Sequence, residues 1–126
     1  MERRKFTRVE FETTAAVKST SAEATGKVKD LSLNGMYLST PDSIGVNQQV
    51  EIMIYLSGSS SEIFIKLRGS VIRQNEDGLG IQFEMEKIDI DALTLLRHVL
   101  AYNSKDDDQV LKEYCDFLDR REKDSE

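Results

Sequence analysis

Tryptophan is absent from this chain, and cysteine, histidine and proline occur once each. Each scarcity closes a route. Cys115, alone, cannot form an internal disulfide, which makes a reducing cytoplasm the expected compartment. His98 has no second histidine and no cysteine nearby, so it is a poor metal ligand, and nothing in the sequence ties it to a serine as part of a triad. No apolar run approaches the roughly 18–20 residues that cross a bilayer. Glu2-Arg3-Arg4-Lys5 has no apolar stretch behind it, so neither membrane insertion nor a signal peptide is expected. P-loop and dinucleotide fingerprints are missing. The Asp106–Asp108 run lacks the spacing and glycine of a calcium-binding loop. An enzyme is not expected, and no cofactor is.

What the chain does have is charge. Charged residues make up 32% of its 126 positions and the net charge is −6, a length and composition that fit one domain with a tail. Net acidity, no tryptophan and only 7% aromatics argue against a nucleic-acid-binding barrel with basic grooves and stacking platforms. The charge is uneven. Arg3, Arg4, Lys5 and Arg8 face only Glu2 in the first eight residues, whereas acids outnumber bases nine to five from Lys105 to Glu126. An anionic ligand is drawn to the front end.

Most of the chain alternates with period two, the mark of half-buried strands. Val9, Phe11, Ala15 and Val17 share one face, and Lys27–Leu31 alternates before a turn or bulge at Asn34-Gly35. A short strand runs from Gly35 to Thr40 and stops at Pro41-Asp42. Val50, Ile52, Ile54 and Leu56 give the clearest alternation. After the polar turn Ser57–Ser61, Ile63, Ile65, Leu67, Gly69 and Val71 resume it, with Gly69 marking a bend. Asn75-Glu76-Asp77-Gly78 predicts a hairpin into the last strand, Gly80–Phe83. Six strands joined by short turns predict a mainly β fold, a closed six-stranded antiparallel β-barrel, since closure removes exposed edges; a two-sheet sandwich is the alternative. The period then lengthens. Asp89 or Asp91 caps a helix with Leu93, Leu96, Val99 and Leu100 on one stripe. A second C-terminal helix carries Val110, Leu111, Tyr114, Phe117 and Leu118, with Cys115 at its boundary, and the charged end from Asp119 is expected to fray.

Two motifs carry chemistry. Arg4-Lys5-Phe6-Thr7-Arg8 sets two guanidinium groups four residues apart, with Arg3 adjacent. Arginine forks grip phosphate oxygens and the O6/N7 edge of guanine. Asp30-Leu31-Ser32-Leu33-Asn34-Gly35 sets an acid, a hydroxyl and a glycine at fixed offsets, and a carboxylate accepts from the N–H groups on guanine's other edge. Together they describe a guanine nucleotide pocket without a nucleophile.

These motifs, in this order, resemble those of the PilZ domain, a bacterial receptor module for cyclic di-GMP. Gly69-Ser70-Val71-Ile72-Arg73 and Gly78-Leu79-Gly80-Ile81-Gln82-Phe83 are similar to the family's late-strand pattern. The resemblance covers residues 2 to about 102, so 1–102 is taken as the barrel domain with its arm and first helix, and 103–126 as an acidic helical tail. It implies that Arg4 and Arg8 clasp guanine edges and phosphates, that Asp30 and Ser32 hydrogen-bond a guanine, and that Gly35 lets the backbone approach the ligand. Arginine at the position of Arg3 accompanies a stacked ligand dimer in the family. Arg73 adds a cation if its side chain points toward the pocket; a solvated strand arginine is the other reading. The implied function is a ligand-gated adaptor: a mobile arm orders on cyclic di-GMP and changes an interaction with an unidentified protein partner. A ligand-independent interaction module of the same fold is the alternative, and the second helix offers a face for the barrel, a partner or a homodimer.

Overall fold

The computed structural model describes residues 9, 13–56, 64–104 and 107–124. The strands are β1 (Thr14–Lys18), β2 (Glu23–Leu31), β3 (Gly35–Ser39), β4 (Gln49–Tyr55), β5 (Phe64–Asn75) and β6 (Gly78–Phe83). They close into an antiparallel barrel in the order β1-β2-β3-β6-β5-β4, with β4 returning to pair with β1. A single 3-10 turn, Met85–Lys87, leads to helices α1 (Ile90–Asn103) and α2 (Asp107–Asp124).

Period two explains the barrel interior. Ala15, Val17, Ala24, Val28, Leu38, Ile52, Ile54, Ile65, Val71 and Leu79 are all buried within it. β2 starts at Glu23, four residues before the alternation becomes legible. Its first half, Glu23-Ala24-Thr25-Gly26, has weak strand propensity and is held by pairing with β1. Val9 enters the core but makes only an isolated bridge, to Leu31. The predicted turn at 57–61 lies outside the described residues.

At Gly69 the register of β5 runs on without a shift against either neighbour. The glycine's hydrogen faces the carbonyl of Gln82, a place no Cβ can occupy, so glycine serves a close strand approach. The irregularity falls instead at Ile72, where the register with β6 shifts between Val71 and Arg73. A second bulge sits at Lys29, where the register of β2 with β3 shifts between Val28 and Asp30.

Asp89 caps α1, its carboxylate accepting from the backbone N–H groups of Asp91 (3.0 Å) and Ala92 (3.3 Å). Leu93, Leu96 and Leu100 are buried, and α1 packs against β5 and α2. The inner stripe of α2 is Val110, Glu113, Tyr114 and Phe117, spaced i, i+3, i+4, i+7. Leu111 falls off that stripe and is 46% exposed, contrary to the expected face. Glu113 takes an inner place, accepting from Gln109 Nε2 at 3.0 Å. Cys115 is fully on the exposed side rather than at the boundary. Helix α2 continues past Asp119 to Asp124, through arginine, glutamate and lysine, which are good helix formers.

Candidate ligand-binding cleft

The two bulges build the site. Strand alternation after Val28 assigns Asp30 to the barrel interior, and alternation after Val71 does the same to Arg73. One extra residue on each strand reverses that parity. Asp30 then pairs with Tyr37, Tyr37 with Gly80, and Gly80 with Arg73. The four residues form one transverse row across β2, β3, β6 and β5 on the barrel's outer surface. The neighbouring row, Leu31–Met36–Ile81–Val71, faces the core.

Beside the row, the β2–β3 connection is a tight turn held by its own hydroxyl. Ser32 donates its backbone N–H to the Gly35 carbonyl (2.9 Å) and its Oγ hydrogen to Asn34 Oδ1 (2.8 Å), while Asn34 N–H donates back to Ser32 Oγ (3.3 Å). Leu33 is wholly buried beneath the turn, anchoring it. Gly35 has a structural reason of its own, since a Cβ there would lie 2.5 Å from the Ile81 carbonyl oxygen. Asp30, Ser32, Gly35, Tyr37, Arg73 and Gln82 are among the residues lining a cleft of about 180 Å³.

The far wall is ordered by polar contacts. Tyr37 Oη donates to Asp77 Oδ1 at 2.6 Å and accepts from Asn75 Nδ2 at 3.4 Å. Donation to the carboxylate raises the Tyr37 phenol above its ordinary range and holds the Asp77 carboxyl below its own. The Arg73 guanidinium lies over the Tyr37 ring, 5.6 Å from its centroid. The Arg73 side chain passes over Gly80, its Nε 3.6 Å from where a Cβ would stand, an ordinary van der Waals separation.

Val9 is fastened beside this cleft. Val9 N–H donates to the Leu31 carbonyl (2.9 Å) and Leu31 N–H donates to the Val9 carbonyl (3.0 Å). The residue that follows Arg8 is therefore fastened between Asp30 and Ser32. Arg3, Arg4 and Arg8 themselves lie outside the described residues. Two larger grooves exist, of about 400 Å³ between β5 and α1 and about 440 Å³ near Lys18, Arg68 and Lys87, but neither is lined by a residue of the Asp30–Gly35 motif. Among the described residues no group of three potential ligands gathers to hold a metal ion, and no helix is long and apolar enough to cross a membrane.

Asp30, Ser32 and Gly35, singled out from the sequence, line one cleft in the structure, where they are joined by Tyr37, Ile72 and Gln82, which the sequence did not single out as cleft residues. A signal was available. A charged residue at interior parity two positions after a buried valine, as at Asp30 and Arg73, marks a bulge.

Residues 2–102 match the PilZ domain. The chain belongs to the PilZ family. Solved PilZ-like structures share its fold at low identity. The PilZ domain of YcgR from Escherichia coli, solved with c-di-GMP, is 14% identical with a TM-score of 0.63, over 81% of this chain and 92% of that one. The Bacillus subtilis inhibitor of motility (MotI/DgrA) is 15% identical with a TM-score of 0.62, over 81% and 51%. The Borreliella burgdorferi PlzA protein, in complex with c-di-GMP, is 19% identical with a TM-score of 0.55, over 78% and 41%. The chain thus spans about half or less of the Bacillus and Borreliella chains. A comparison with curated proteins finds no match. Helix α2 lies beyond the span matched to PilZ.

Proposed function

We propose that this PilZ domain is a cyclic di-GMP receptor, closing its basic leader and the Asp30–Ser32 rim around the ligand. The observation that carries the reading is the Val9–Leu31 bridge. Consecutive Cα atoms are about 3.8 Å apart, so Arg8 starts within one residue of the rim and Arg4 within five. The c-di-GMP complexes of the similar YcgR and PlzA structures support the choice of ligand.

Each group has work suited to its chemistry. Cyclic di-GMP presents two phosphates and two guanines. Asp30 accepts from the N1–H and exocyclic amine of one guanine, and the Ser32 hydroxyl adds a bond at the same edge. Arg4 and Arg8 fork onto phosphate oxygens or the O6/N7 edge, and Arg3 extends the cationic surface. Gly35 leaves the cleft wall without a side chain. Binding neutralises the leader and folds it against the rim, and the new surface alters contact with a protein partner. The output is a changed interaction, not a chemical product.

Each good bidentate contact is worth roughly 1–3 kcal/mol, so several contacts less ordering costs give about micromolar affinity. Calorimetric titration of cyclic di-GMP tests this. The wild type binds, and the Arg4→Ala/Arg8→Ala variant loses at least about tenfold in affinity, the removal of one such contact. No heat from the wild type, or equal affinity in the variant, overturns the reading.

A further inference from the structure

We infer that Asn34-Gly35 is a self-modifying site: the turn converts Asn34 to aspartate or isoaspartate and thereby lowers the affinity of the cleft for an anionic ligand. The chemistry stands on this chain alone, whereas the effect on affinity rests on the cyclic di-GMP reading. Of Asn34, Asn47, Asn75 and Asn103, only Asn34 precedes a glycine. Glycine bares its backbone nitrogen, because no Cβ shields it. That nitrogen is the nucleophile, and the side-chain carbonyl carbon of Asn34 is the electrophile.

The turn supplies what the step needs. Phe83 N–H donates to the Asn34 carbonyl at 2.8 Å, a bond that flanks the Gly35–Gln82 pair and makes it the kind that exchanges no bonds of its own. The Gly35 N–H is thus left out of the ladder with β6, and on the β2 side no hydrogen bond engages it among the described residues. Ser32 Oγ donates to Asn34 Oδ1 at 2.8 Å, which polarises the carbonyl under attack and stabilises the negative charge that develops on its oxygen. The same hydroxyl lies 3.4 Å from the Gly35 carbonyl oxygen, so it holds the Asn34 side chain against the peptide that attacks it. Asn34 and Gly35 are only half-buried, which admits water.

Hydroxide takes the Gly35 N–H proton and the nitrogen bonds to Asn34 Cγ. The Cγ–Nδ2 bond breaks, and Nδ2 leaves as ammonia with a proton from water. Water then opens the cyclic imide at one of its two carbonyls. One opening restores the main chain with aspartate at position 34; the other routes it through the side chain, one methylene longer. Asp30 and Asn34 line the same cleft, so either product sets a second carboxylate there.

The full chain incubated at mildly alkaline pH, then digested and mapped by mass spectrometry, tests the chemistry. The Asn34 peptide gains the mass of an amide turned acid, with isoaspartate present, ahead of Asn47, Asn75 and Asn103. Ser32→Ala removes the donor and slows the conversion at least about threefold, the worth of one hydrogen bond. Conversion at Asn34 no faster than at the others, or a rate in Ser32→Ala equal to or above wild type, overturns the site. Asn34→Asp carries the charge of the product. A unit charge a few ångströms from a phosphate is worth about fivefold in water, so this variant binds cyclic di-GMP about fivefold more weakly than wild type. Equal affinity overturns the effect on the cleft. A wild type that does not bind overturns the receptor reading and that effect together, while the mass map still decides the chemistry.

Discussion

Tyr37 shows how a single side chain couples the cleft wall to its own protonation. Its hydroxyl donates to the Asp77 carboxylate, and the pair shifts in opposite directions, the phenol up and the carboxyl down. A depressed carboxyl contributes stability that is present above its unfolded value and lost as pH falls through the folded one. A raised phenol contributes stability that is present below its unfolded value and lost as pH rises through the folded one. The bond therefore stabilises the fold across the neutral range. Tyr37→Phe should lower the melting temperature by a constant amount there, and the gap to wild type should close below about pH 4 and above about pH 10. Melting curves across that range check it; a gap that persists at both extremes would show the hydroxyl acting through something other than this pair. Gly35 teaches a different lesson at the same scale. The motif glycine fits a ligand's approach, yet its place against the Ile81 carbonyl already demands the absence of a side chain.

At the level of elements, the two bulges matter more than the strands that contain them. Without Lys29 and Ile72 as extra residues, Asp30 and Arg73 would point into an apolar core, where an unpaired charge is heavily penalised. Helix α2 depends on α1 for its packing. Val110 and Phe117 are its buried apolar anchors, and the Arg97 guanidinium lies 5.2 Å from the Tyr114 ring. Truncating such an anchor removes most of what holds the helix. Phe117→Ala should destabilise the α1–α2 pair by about 3 kcal/mol. In urea followed by far-UV circular dichroism, the helical signal should be lost before the strand signal. A single transition coincident with wild type would show that α2 draws its stability from elsewhere.

For the whole molecule, charge distribution and closure set the behaviour. The net charge of −6 repels a dianionic ligand in general, while Arg3, Arg4, Lys5 and Arg8 all precede Val9 in sequence, the residue bridged to Leu31 beside the cleft. Binding of cyclic di-GMP should therefore weaken steadily as salt rises from about 0.05 to 0.5 M, as the Debye length shrinks. Titration calorimetry across that series checks it. An affinity indifferent to salt would mean that the leader's charges take no part. Closure of the barrel removes every strand edge among β1–β6, so the outer surface is left to side chains, and function resides in which of them share a row.

Much of this protein is written locally. Alternation at Val50, Ile52 and Ile54 specifies a strand because successive side chains must face opposite sides, and the Asp89 cap begins a helix because orphan N–H groups need an acceptor. The Asp30–Gly35 and Arg4–Arg8 motifs are legible because their chemistry depends on residue type and spacing. Parity reversal at Lys29 and Ile72 is not local. A bulge exists only as a mismatch between two paired strands, so the row of Asp30, Tyr37, Gly80 and Arg73 came into being with the barrel. The tertiary structure also decided which face of α2 lies inward, because the groove of α1, rather than the helix's own pattern, selects the residues that fill it.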